Sequence, residues 1–125
     1  MIDPRFIWLR DEILERFRTA KAVKAARWHV SHRDEANDVD DDQQHVVATV
    51  GDIDAAAHIA MNDPESVIGN CLAELKILAE HRSSGAFVSF ATTKDHCTVC
   101  NTDYPCNTIH ALHSGYRDRA GWAAW

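Results

Sequence analysis

Three cysteines within ten residues constrain this chain more than anything else in it: Cys97 and Cys100 in a C-x2-C spacing, then Cys106. A tight turn lets a C-x2-C pair aim two thiolates at one tetrahedral ion while backbone amides stabilise their charge. Cys106 follows the turn-prone run Asp103-Tyr104-Pro105, which can bring a third sulfur to the same point. The N-terminal stretch from Met1 to Arg10 has charges inside its apolar run and no small-residue cleavage site, so it does not read as a secretory leader. No apolar stretch approaches a membrane span. A cytoplasmic, reducing compartment is therefore expected, where clustered cysteines are metal ligands or redox thiols before they are disulfides. The expected ion is a structural Zn2+.

A closed site needs a fourth donor. His110, one helical turn after Cys106, would give a compact C-x2-C-x5-C-x3-H knuckle. His81, at the end of a long helix, would tie that helix to the cysteine loop. Spacing leaves both open. His96 sits too close to Cys97 to be the easy choice, and His113 and Cys71 fit less well. A redox dithiol of Cys97 and Cys100 competes with zinc, but it gives Cys106 and the nearby histidines no role.

The rest of the chain reads as an α+β fold, mainly helical, in a single domain over residues 1–125 with a zinc-stapled part over 82–125. Its 125 residues and 46% hydrophobic content suffice for one core. Asp3-Pro4 starts an amphipathic helix running to about residue 26, with Phe6, Leu9, Ile13, Phe17 and Ala20 on its apolar face, widened by Ile2, Ile7, Leu14 and Val23. Its basic side (Arg5, Arg10, Arg16, Arg18, Lys21, Lys24, Arg27) is interrupted by Asp11, Glu12 and Glu15, as on a solvated face. Residues 34–42, with six acids and Val39 as the one large apolar residue, are expected to form a solvated loop. They lack the glycine and terminal glutamate of a calcium-binding loop. Residues 28–31 and 45–50 would pair across that loop as a small β-hairpin. A central helix pair follows, Ile53–Met61 capped by Asp52, then a helix from Asn62-Asp63-Pro64-Glu65 to about His81. Cys71 falls on the apolar face of that second helix as a small buried hydrophobe. Ser83-Ser84-Gly85 is expected to end it, with a short strand or an ordered loop expected over residues 86–91. A short helix over Asn107–Ser114 precedes a tail with Tyr116, Trp122 and Trp125.

The order of these features resembles a family of small proteins of unknown function from actinobacteria and their phages. The residues that carry the likeness are Trp28, the run from His58-Ile59-Ala60 through Asp63-Pro64 to Val67-Ile68, and the helix end Lys76-Ile77-Leu78-Ala79-Glu80-His81. Cys97, Cys100 and Pro105-Cys106-Asn107-Thr108-Ile109 complete it. Asn107 and His110 stand where such proteins often have proline and arginine, and the segment between His81 and Cys97 is rather long. The resemblance implies His81 as fourth ligand and His110 as an ordinary substitution. It supplies no activity.

For function, a zinc ion with three cysteines and one histidine has no open position for chemistry. The expectation is a zinc-stabilised protein-binding module, a phage or prophage accessory protein acting on a host protein in the host cytoplasm. Trp8, Trp122 and Trp125 are its candidate exposed anchors. The alternative is a nucleic-acid-binding protein with a zinc-knuckle-like C-terminal segment. Against it stands a net charge of −6, from 19 acids and 13 bases. Enzyme activity is disfavoured, because no H-E-x-x-H, deaminase-type or glycine-rich phosphate motif occurs. His58 is expected to be structural, bonding a backbone group or Asp63.

Overall fold

The computed structural model describes residues 3–23, 27–33, 36–85 and 95–125. Among them lie four helices and three strands: α1 (Pro4–Lys21), β1 (Trp28–Arg33), β2 (Ala36–Asp41), β3 (Val46–Val50), α2 (Ile53–Met61), α3 (Pro64–Glu80) and α4 (Asn107–Ser114). The fold is α+β and mainly helical. The chain divides into two compact units, residues 1–14 with 73–125, and residues 15–72. No helix among the described residues is long and apolar enough to cross a membrane.

In the 15–72 unit the three strands form an antiparallel meander in the order β1-β2-β3. This corrects two expectations. Residues 36–41 of the acidic run are the central strand rather than a loop, and β1 and β3 both pair with β2 instead of with each other. Three of its side chains show how the strand accommodates such a sequence. Val39 is fully buried. Asp38 accepts a 2.8 Å hydrogen bond from the Thr49 hydroxyl across the β2–β3 pair. The Asp41 carboxylate accepts from the amides of Gln43 and His45, both at 2.9 Å, and so organises the turn into β3. Gln44 closes that turn in the left-handed conformation (φ 65°). Asp34 and Glu35 lie outside the described residues.

Helix α2 starts on Asp52, whose carboxylate accepts from the Asp54 amide at 2.8 Å, and lies against all three strands. Helix α3 has Pro64 at its first position, where no amide is needed, and Asp63 as its cap. One Asp63 oxygen accepts from the Ser66 amide at 2.8 Å, the other from the Trp28 amide at 3.2 Å. The cap therefore ties the start of α3 to the start of β1. His58, expected to bond a backbone group or Asp63, makes neither bond through its ring; the Asp63 oxygens meet the two amides instead. His58 is exposed, and its carbonyl accepts from the Asn62 side chain at 2.9 Å.

In the other unit, Leu9 and Ile13 of α1, Leu78 of α3 and Ile109 of α4 are almost completely buried, as their spacing requires. Regular α1 ends at Lys21, where the Val23 amide bonds back to the Ala20 carbonyl in the tighter spacing of a helix end. Residues 24–26 of the expected helix, and the expected strand or loop over 86–91, lie outside the described residues.

Candidate metal centre

The Cys97–Cys100 turn is built by backbone bonds. The Asn101 amide donates to the Cys97 carbonyl at 2.9 Å, and the Cys97 amide to the Thr102 carbonyl at 2.8 Å. Asn101 takes the left-handed conformation (φ 56°) that reverses the chain, a role asparagine fills at little cost. The Cys100 amide points at the Cys97 sulfur at 3.5 Å. Cys106 stands immediately before α4 as its N-cap residue. His81 follows the last residue of α3, and its amide still bonds the Ile77 carbonyl at 2.9 Å.

The turn is stitched to the end of α3. The Thr98 amide donates to the Arg82 carbonyl at 3.0 Å, and its hydroxyl to the Glu80 carbonyl at 3.1 Å, so Thr98 satisfies acceptors that the helix end leaves over. Ser83 pairs with Cys97, and His96 with Asp103, in isolated antiparallel bridges.

These local structures bring His81, Cys97, Cys100 and Cys106 together, with their ligand atoms all within 4.8 Å of one another. Nδ1 of His81 lies 3.5 Å from the Cys97 sulfur, 3.3 Å from that of Cys100 and 3.5 Å from that of Cys106. One imidazole nitrogen offers a single proton or a single lone pair, so three sulfurs around it are not explained as hydrogen bonds. They are explained as a cage. With Zn–S of about 2.3 Å and Zn–N of about 2.0 Å at tetrahedral angles, the S···N edges come to about 3.5 Å. The observed edges match this, so the donor set fits a metal ion of zinc's size and softness. No disulfide joins the cysteines.

The thiols conflict electrostatically without a cation. Burial pushes the Cys97 thiol up, but the amides of Cys100 and Val99, then His81 and Cys106, outweigh it and bring it down to about 7. Cys100 moves the other way, pushed up to about 11 by the local desolvation of its sulfur among the other donors and by its neighbours Cys106 and Cys97. A bound dication removes that conflict, because it stabilises each thiolate. Cys97 and Cys106 are buried, whereas Cys100 is exposed.

The other histidines lie elsewhere. His110 sits on α4 with its ring edge-on to Trp125, at 6.1 Å between centroids, and is not in the group. His113 is buried, stacked on Trp125 at 3.5 Å and on Trp122 at 4.9 Å, with Trp8 edge-on at 5.6 Å. The three tryptophans expected as exposed anchors are thus half-buried partners of one histidine. Burial lowers the pKa of His113, and so does His110 nearby; a neutral ring is the form that stacks in such a setting. Cys71 is fully buried on α3 and is not a member of the donor group. Sequence reading missed the polar residues around the cage, above all Ser83, Ser84, Asp95 and Thr98. Their only signal was a cluster of short hydrogen-bonding side chains on either side of His81 and Cys97.

An α+β fold with a Cys3His donor cage defines a small protein able to hold one metal ion. A model described as a family of unknown function (DUF6221) matches residues 3–125, and the chain belongs to that family. No curated protein and no solved structure matches it.

Proposed function

We propose that His81, Cys97, Cys100 and Cys106 hold one zinc ion as a filled, structural tetrahedron. The domain so braced acts as a protein-binding module, a phage or prophage accessory protein directed at a host protein in the cytoplasm. The observation that carries the reading is the convergence of three sulfurs on His81 Nδ1 at 3.3–3.5 Å. With four protein donors the ion has no open position for water, so when bound it supplies rigidity rather than reaction. Val99, exposed to 60% beside Cys100, puts an apolar side chain on the turn that the ion would make rigid.

The nucleic-acid alternative has less support. Several bases of α1 that would meet phosphate are engaged with acids: Arg5 with Asp3 at 2.6 Å, Arg10 with Asp11 at 2.9 Å, and Arg18 with Glu15 at 3.3 Å.

Elemental analysis of chelator-free protein is expected to give about one zinc per chain. His81→Ala should lose the ion and His110→Ala should keep it. Metal-free wild-type protein, or the reverse pattern, would refute the site. Affinity capture from a host lysate, read by mass spectrometry with and without nuclease, tests the partner class.

A further inference from the structure

The cage joins segments that are distant in sequence: His81 precedes Cys97 by 16 residues and Cys106 by 25. Something other than the ion must register those segments, because an imidazole displaced by a fraction of an ångström no longer completes the tetrahedron. We propose that Asp95 is the positioning residue of the metal site, a latch fixing the His81 arm to the cysteine turn. The proposal rests on the zinc reading above.

The geometry is specific. Oδ1 of Asp95 accepts from the hydroxyls of both Ser83 and Ser84, the second at 3.1 Å. Those serines lie two and three residues after His81. The Ser83 hydroxyl accepts in turn from the Gly85 amide at 3.1 Å, and Ser84 exchanges bonds with His96. There its amide donates to the His96 carbonyl at 2.8 Å, and its hydroxyl accepts from the His96 amide at 3.2 Å. On the far side, the Asp95 carbonyl accepts from the Tyr104 amide at 3.1 Å, two residues before Cys106. One half-buried residue therefore touches the segment of each ligand-bearing element. Asp95 touches no metal donor itself, so it acts through the backbone that carries them.

The test uses the full chain loaded with zinc, and with Co2+ for its thiolate absorption bands. Asp95→Ala is expected to bind about one zinc per chain still, but about 10- to 100-fold more weakly in competition with a chromophoric chelator. Its Co2+ spectrum should shift. Asp95→Asn, which keeps an acceptor oxygen, should recover most of the affinity. Should Asp95→Ala not fold, the double variant Ser83→Ala/Ser84→Ala should weaken zinc in the same way. Asp63→Ala, which removes a helix cap, should lower the melting temperature and leave zinc affinity unchanged. Wild-type zinc affinity and Co2+ spectra in both latch variants would overturn the latch and leave the zinc reading standing. A wild-type chain that takes up no zinc would overturn both.

Discussion

Among the described residues, two without glycine's freedom hold left-handed backbone, Gln44 in the β2–β3 turn and Asn101 after Cys100. Asparagine is suited to that conformation and glutamine is not. Gln44→Gly should therefore stabilise the protein by about 0.5–1 kcal/mol, because the relieved steric cost exceeds glycine's entropic one. A rise of a few degrees in thermal melting would show it, and a fall would mean that the Gln44 side chain contributes unseen packing. Asn101 was legible as part of a turn, since it follows a C-x2-C pair. Asp95 was barely legible, because a cluster of short polar side chains near His81 and Cys97 does not say which of them will meet.

Among the elements, α2, α3 and α4 were read nearly to the residue because their ends carry chemical punctuation, whereas α1, expected to about residue 26, ends at Lys21. Asp52 and the Asp63-Pro64 pair mark two starts, and α2 and α4 span the residues expected of them. Strand β2 was misread for the opposite reason. A count of acids describes solubility, whereas pairing depends on what each side chain meets, and the Thr49 hydroxyl and the turn amides were not visible along the sequence. The Asp63 cap also sets a pH dependence. Burial pushes its carboxyl up, but the Ser66 and Trp28 amides, with Arg27 nearby, outweigh this and hold it below the usual carboxylate range. A depressed folded-state pKa means stability that is present above the ordinary aspartate value and lost as pH falls through the lower one. Asp63→Asn should remove that acid-sensitive part, and Asp63→Ala should cost about 1 kcal/mol at neutral pH. Identical acid denaturation curves for Asp63→Asn and wild type would contradict the assignment.

For the whole molecule, the four donors all belong to the unit formed by residues 1–14 and 73–125. Chelation should therefore act unevenly. At free zinc a thousandfold above its dissociation constant, the ion contributes about 4 kcal/mol of stability. Its removal should lower the melting temperature by roughly 10 °C or more. Amide hydrogen exchange should accelerate around residues 81–85 and 95–114 while β1, β2 and β3 keep their protection. Uniform acceleration would show instead that the metal supports both units as one cooperative whole. The overall class, α+β with a cysteine cage near the C-terminus, was readable because periodicity and ligand spacing are local signals. The division into two units was not, since it depends on which distant segments meet.

The acidic composition of β2 has one more consequence. A small sheet that opens transiently exposes backbone ready to join the same strand of another copy, the first step toward aggregation. Here that strand carries Asp38, Asp40 and Asp41. Two opened molecules would set rows of like charge against each other, which opposes their union. The residues that disguise the strand in the sequence are also those that keep it from sticking to its own kind.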